Sequence, residues 1–571
     1  MSKQSSSTQQ IIDNSEIARM DHIPAISKMC HQIGLIDIIN ENIPCNTDID
    51  PGTLVLGMIC DTLSGRSPLY QVEEFIKKQD TELLFGHPVD SHHFNDDALG
   101  RTLDRIHEKG TLKMFTEVSL SAVSAYDLDT SKYNFDTTSV NVWGDYSKDE
   151  SKSTAPKILY GYSKDKRPDL KQFMVSMLCI EGNIPISGKM QDGNSGDERL
   201  NNEELERIAK LMGPLKQNIG ECIYVADCKL INATNLPLLD DILFISRLPA
   251  SFKEHDLAIE RALLADNWEE LGVLAATPST SKNRQRANYR SYETSVTIEG
   301  KDYRSIVIQT DHLNKRRTRS IENRKTKEQS QRKKEIQSAE KNNYHCPMDA
   351  QKALDEISKR KKNNYWHISG EVESVPIHAP GRAPKNGPRK IISTRYKLRL
   401  KLEENTTYYE KKIRKAGCFV MISNIKTEKM TSGEVLKTYK EQYGVEQNFS
   451  FLKEPLIAND TFLKKESRID ALTFILLISL MIWNLIQRQL RNSVEAKSGL
   501  LKNLNKQPTY RPTGYLFMCQ LSGINIIKHG GRRFLPKNGI SEQGILYLKA
   551  LGFDETIYTT PPPVSKTQRK T

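Results

Sequence analysis

Apolar residues recur along this chain in distinct textures, and each texture predicts a different kind of element. From 14 to 125 they recur at helical spacing, with breaks at Pro44, Pro51-Gly52, Gly65, Pro68 and Gly86-His87-Pro88. This predicts a helical N-terminal domain over 13–125, behind a disordered polar tail at 1–12. Within it, HHFNDDALGRTLDRIHEKG (92–110) sets Leu99, Leu103 and Ile106 on one face behind Asn95 or Asp96 as a cap. His92, His93, Asp96 and Asp97 have metal-ligand chemistry, but paired acids at a helix start serve far more often as caps.

From about 130 the period shortens to that of strands: YNFDTTSVNVWG (133–144), KQFMVSMLCI (171–180) and IPISGKMQ (184–191), the last two forming a hairpin around Glu181-Gly182-Asn183. A helix at 202–213, a strand CIYVAD (222–227), a helix at 231–239 and a strand DILFISRL (241–248) follow. Three antiparallel strands followed by alternating helix and parallel strand outline an α/β fold, a ribonuclease-H-like mixed sheet over 130–250 and 415–495. Residues 250–415 interrupt it. Strand-like segments at 287–310 and 389–412 predict an inserted β-rich subdomain with a basic helix, and GCFVMIS (417–423) reads as a returning buried strand. ALTFILLISLMIWNLI (471–486) is too short for a typical membrane span and is flanked closely by charge, so it predicts a buried core helix. A helical C-terminal region and tail take up 496–571.

One polar stripe stands out. In TYKEQYGVEQNFSFLK (438–453), taken as one helix, Tyr439, Gln442 and Lys453 fall within roughly 40° of Glu446 at 100° per residue. Val445, Phe449 and Leu452 lie beside them and would seat the helix on a core. The same pattern also describes an ordinary surface face carrying a charge pair.

Charge narrows the partners. The chain has 571 residues, enough for several domains, and carries 83 Lys plus Arg against 71 Asp plus Glu, a net +12. That favours a polyanion. Ten of the twenty residues at 315–334, Arg316 and Arg317 among them, are Lys or Arg, a run that is either a solvated surface or a set of phosphate contacts. Lys164, Lys166, Arg167 and Lys171 make a second basic loop, open to the same two readings. Nine scattered cysteines without a C-x-x-C, and an N-terminus without an apolar core, predict a reducing, cytoplasmic setting, with no membrane partner.

Asp136 interrupts an apolar strand, and Asp227 ends a core strand where crossover topology forms clefts. With Glu446 from a later helix, three carboxylates could converge on two magnesium ions, with manganese as a substitute, for in-line displacement at phosphorus. Thr137 and Thr138 either orient Asp136 or simply pack as β-branched residues. Trp143 either stacks on a base or closes its strand.

On these residues the chain resembles the DDE transposases of bacterial insertion sequences, in the insertion-sequence-four superfamily with its Y-x2-R-x3-E-x6-K signature. The matching stretches are GRSPLYQVEEF (65–75), FNDDALGRTLD (94–104), FDTTS (135–139), GYSKDKRPDLKQ (161–172), DGNSGD (192–197), YVADCKLIN (224–232), YKEQYGVEQNFSFLKEPL (439–456) and RIDAL (468–472). The resemblance implies that Asp136, Asp227 and Glu446 are the catalytic, metal-binding acids and that Tyr439 and Lys453 contact DNA. Gln442 stands where the signature has Arg, and an amide cannot supply a charge-assisted phosphate contact. The resemblance implies double-stranded DNA as partner, both terminal inverted repeats and target, with a homodimer on DNA in a prokaryotic cytoplasm, at the nucleoid when bound. Lys164, Arg167, Arg316 and Arg317 are the further expected DNA contacts. The alternatives are a DNA-binding relic of the same ancestry and a ribonuclease-H-like nuclease without strand transfer.

Overall fold

The computed structural model describes residues 15–567 except 45–46, 66, 145, 147–153, 216–220, 275–286, 359–363, 382–386, 454–462, 464 and 497–500. The expected disordered tail at 1–12 and the last three residues of the 439–456 stretch therefore lie outside the described residues. Two compact units are present, one made of residues 1–247 and 423–571, the other of 248–422.

The first unit is a mixed α/β structure. Its strands lie in the order Pro185–Gln191, Lys171–Cys179, Lys132–Val142, Ile223–Val225, Leu243–Arg247. The first two pairings are antiparallel and the last two parallel. Valine, isoleucine and aromatic residues make these strands, and the three longest are buried along most of their length. The turn at Glu181–Asn183 needs left-handed backbone, and Gly182 (φ 67°) and Asn183 (φ 61°) supply it.

Helix Glu466–Ala496 organises the helical side of this unit, packing on strand Pro185–Gln191 and on helices Pro51–Thr62, Asp96–Lys109, Thr111–Tyr126 and Tyr443–Leu452. Gly188 permits close approach, since a Cβ there would sit 3.1 Å from Leu477. By length and composition 466–494 could cross a membrane, yet 89% of its most apolar stretch is buried inside the protein. It is the expected core helix, apolar on nearly every side because other elements surround it. Its polar start is paired instead: Arg468 with Asp104 at 2.7 Å and His107 with Asp470 at 2.8 Å. Asn95 caps Asp96–Lys109 by accepting from the Ala98 N–H, as expected.

Several expectations need correction. The helical N-terminal segment lies in the same compact unit as the sheet and the C-terminal region. Glu16–Arg19 pairs with Asn525–His529, which pairs with Arg532–Phe534, and Arg533 is buried in a salt bridge with Asp80 at 2.7 Å. The helix expected at 231–239 is two 3-10 turns, Cys228–Leu230 and Leu236–Leu239. Asn232 accepts from the Thr234 and Asn235 N–H groups, so a side chain takes the role of the helix ladder. The stripe at 438–453 is two helices, Ser432–Glu441 and Tyr443–Leu452, with Gln442 at the joint.

In the second unit, strands lie in the order Cys418–Ser423, Lys301–Thr310, Tyr289–Ile298, Glu269–Gly272. A separate antiparallel hairpin joins Trp366–His378 to Ile391–Glu404. Among the described residues, four helices accompany them: Lys253–Ala265, the thirty-residue Asp311–Glu340, Pro347–Ser358 and Thr406–Lys415. The strand expected to reach 412 stops at Glu404, because the Asn405 side chain accepts from the Tyr408 N–H and starts a helix.

Candidate active site

Asp136 and Asp227 come together through register. Asn134 and Val225 are partners on neighbouring parallel strands, and each aspartate lies two residues further along its own chain. Asp136 lies within its strand, whereas Asp227 lies just past the end of Ile223–Val225 as the cap of the turn that follows, and the Asp227 charge reaches the Asp136 carboxyl. Beyond Val225 the second chain leaves the sheet, and the Asp227 carboxylate accepts from the Lys229 N–H at 3.0 Å. The Asp136 carboxylate accepts from the Thr137 N–H at 2.8 Å.

Burial pushes the Asp136 carboxyl up to about 7. The Lys164 ammonium and the Thr137 N–H oppose that shift, and Asp227 and Asp197 add to it. Asp227 is raised as well, by burial first and then by Asp197, against its bond to Lys229 N–H and the charge of Lys164. Two half-buried acids beside a third negative charge form a place where a cation is favoured.

Asp197 was not singled out from the sequence. It opens helix Asp197–Leu215, accepts from the Thr137 hydroxyl at 2.5 Å and pairs with Lys164 at 3.3 Å. The signal was its place at the end of the Gly-rich DGNSGD stretch, directly before a helix. Lys164 also donates to the Thr137 carbonyl at 2.6 Å and to its hydroxyl at 2.8 Å. Lys164 thus serves as counter-charge to the acids instead of standing free on the surface. Thr137 and Thr138 are both buried, with Thr137 as the hub of these contacts.

Glu446 is exposed on the first turn of Tyr443–Leu452. The buried Gln442 amide at the head of that helix donates to the Phe135 carbonyl at 3.2 Å, next to Asp136 in sequence. Two residues before Glu446, a Cβ on Gly444 would meet the Asn183 side chain at 2.1 Å. Two residues after it, Asn448 donates to the Asn183 carbonyl at 2.8 Å. Asn484 donates to the same carbonyl at 2.8 Å and to Asn448 Oδ1 at 2.9 Å. Val445, Phe449 and Leu452 are buried as expected.

Tyr439 is mostly withdrawn from solvent, and burial, with Asp227, Cys228 and Asp136 nearby, drives its phenol upward against the pull of Arg247. It therefore belongs to the acidic cluster. Lys453 pairs with both oxygens of Asp165 at 2.8 Å, tying the end of the Glu446 helix to the 161–170 loop. Arg167 pairs with Asp169 at 2.7 Å and lies 5.2 Å over the exposed Trp143 ring. Arg316 is exposed, and Arg317 donates to the Cys418 carbonyl at 2.6 Å; both are in the 248–422 unit.

Among the described residues no three His, Cys, Asp or Glu side chains are grouped closely enough to hold a metal ion. The described arrangement is a carboxylate pair, with Glu446 on the helix packed against the Asp136 strand. A pair fits magnesium, which takes one or two carboxylates and fills its remaining positions with water and phosphate oxygens.

Fold and site together define an α/β protein with a half-buried, charge-coupled aspartate pair, Asp136 within a central strand and Asp227 just past the end of its parallel neighbour. A family model for a domain of unknown function, DUF4277, matches residues 15–120, which precede the sheet. No curated protein matches the chain.

Proposed function

We propose that the protein is a DDE-type DNA transposase with a ribonuclease-H-like core. It would bind the terminal inverted repeats of its element, hydrolyse a phosphodiester at each end and join the 3′-hydroxyls to target DNA. The observation that carries this reading is Asp136 on a central strand with Asp227 just past the end of the neighbouring parallel strand, and Gln442 fastening the Glu446 helix to the carbonyl beside Asp136. Asp136 and Asp227 would hold magnesium, and Glu446 would complete its ligands. When bound, the metal supplies activation of a water or 3′-hydroxyl and stabilisation of the leaving oxygen. Lys164 and Asp197 hold Thr137, and through it the backbone that bonds Asp136. Tyr439, near the acids, would contact the scissile strand. Gln442 acts as a strut within this reading, its amide already bonded to Phe135. Two ends cut together imply a homodimer on DNA.

The test compares wild type with Glu446→Gln on DNA carrying the coding region and its flanks, with and without magnesium. Magnesium-dependent cuts at the element ends by the wild type, with binding but no cutting by the variant, support the reading. If both bind and neither cuts under magnesium or manganese, the protein is a DNA-binding relic.

A further inference from the structure

Helix Asp311–Glu340 is polar along almost its whole length, so its orientation is set by what it packs on, not by an apolar stripe of its own. The packed side is clear. Arg317, Ile321, Lys325, Glu328, Arg332, Ile336 and Ala339 are at least partly buried, at spacings of four, four, three, four, four and three. Each has a task or a neighbour to justify it. Lys325 pairs with Glu404 and lies 4.0 Å over the Tyr409 ring, Glu328 accepts from the Trp366 N–H at 3.3 Å, and Ala339 joins a small core with Ala350, Leu354 and Leu398.

The opposite side is different in kind. Taking 100° per residue, Arg316, Arg319, Lys327 and Lys334 fall within an arc of roughly 80°, centred about 180° from the packed stripe, and no acid of the helix falls inside that arc. All four are exposed, and none forms an ion pair among the described residues. From Arg316 to Lys334 the face runs about 27 Å at 1.5 Å per residue. Some cations elsewhere in this unit are neutralised locally. Lys411 and Lys415 pair with Glu260 at 2.7 and 2.9 Å, and Arg304 pairs with Glu293 at 2.7 Å. A row of unneutralised cations along a rigid rod meets a partner whose charge is also regularly spaced.

We infer that the Arg316–Arg319–Lys327–Lys334 face of this helix is a docking surface for the phosphate backbone of duplex DNA, independent of base sequence. The choice of DNA rests on the transposase reading, and the surface deepens it by separating Arg316, a phosphate contact, from Arg317, an internal anchor. Backbone-only contacts supply affinity and register but no sequence selection. They suit flanking or target DNA, whose sequence varies, better than a fixed terminal repeat.

The experiment titrates the full-length protein and its Arg319→Glu/Lys327→Glu/Lys334→Glu variant into a fluorescent duplex of arbitrary sequence across a salt series. Each phosphate contact contributes about 0.9 to the slope of log affinity against log salt, so the variant is expected to lose roughly 2 to 3 from the slope. A Lys411→Gln/Lys415→Gln variant, altering cations that are already paired, should keep the wild-type slope. Arg319, Lys327, Lys334 and Lys411 are exposed and Lys415 is largely buried in its ion pairs, so a thermal melt verifies folding of both variants. A triple variant with the wild-type slope overturns the surface, as does an equal loss in the paired-cation variant. Magnesium-dependent end cleavage is scored separately on the wild type. Its absence together with the slope change refutes the transposase reading and leaves the surface standing, whereas cleavage with an unchanged slope refutes only the surface.

Discussion

Asn448 donates its side-chain amide to the backbone carbonyl of Asn183 at 2.8 Å, joining the helix that carries Glu446 to the turn between two strands of the sheet. Asn183 holds a left-handed backbone (φ 61°), and Asn484 from the core helix donates to the same oxygen. Three amides thus fix the height of the Glu446 helix over the sheet. Asn448→Ala should cost about 1–3 kcal/mol, because it strands buried polar partners. Gly444→Ala should be comparably harmful, since its Cβ would run into Asn183. Urea unfolding of both variants measures this. A loss below about 0.5 kcal/mol for either would remove that residue from the clamp.

Asp197→Asn tests the cluster beneath the proposed catalysis. The substitution removes a negative charge that raises both Asp136 and Asp227, and it weakens the hold on Thr137 and Lys164. Magnesium-dependent cleavage should fall about 10–100-fold with DNA binding retained, the usual scale for a supporting partner of a metal ligand. Its pH–rate profile should also shift to lower pH. A rate within about two-fold of wild type, with an unmoved profile, would leave Asp197 a merely structural helix start.

His107 supplies a pH-dependent link between helices Asp96–Lys109 and Glu466–Ala496. Its bond to Asp470 raises the imidazole above its ordinary 6.5, against the opposing effect of burial. The folded state therefore holds the proton more tightly than the unfolded chain. The resulting stabilisation is fully present below pH 6.5 and is lost as pH rises through the folded-state value. Compared with His107→Gln, the wild type should be more stable by about 1 kcal/mol at pH 6, with the gap closing towards pH 9. Thermal melts across that range decide it, and a gap that is constant or grows with pH would contradict the pairing.

Arg533 and Asp80 form a buried pair, with side chains only 3% and 2% exposed, and Arg533 also reaches Glu82. Removing one partner strands the other, so Asp80→Ala should cost about 3–5 kcal/mol. Asp80 also caps helix Thr81–Phe85 by accepting from the Leu83 N–H, which adds to the loss. Replacing both Asp80 and Arg533 with apolar residues should recover much of it. Denaturant unfolding of the two single variants and the double variant gives the coupling energy directly. An additive result would show that the pair contributes nothing beyond its separate side chains.

Local pattern was enough to read the strands of the 130–248 sheet and the buried helix around 471–486. Side-chain period and burial are properties of a few consecutive residues, and Asp136 was conspicuous because it broke an apolar run. Where short side chains compete with the backbone, the reading failed. Asn232 converts a helix into 3-10 turns, and Asn405 ends a strand early. Gln442 appeared on a continuous helical stripe with Glu446, but its bond to Phe135 sits at a joint that periodicity alone does not reveal.

The sequence by itself determined the strands of the 130–248 sheet, the buried core helix and the carboxylate that interrupts an apolar strand, because these depend on spacing along the chain. Only the tertiary structure decided that Lys164 and Asp197 meet at Thr137, that Asn183 anchors the Glu446 helix and that Arg533 closes on Asp80. Those partners are separated by 27 to 453 residues. Their pairing follows from register, from helix packing and from the need to satisfy every buried polar group, and no local window contains that information.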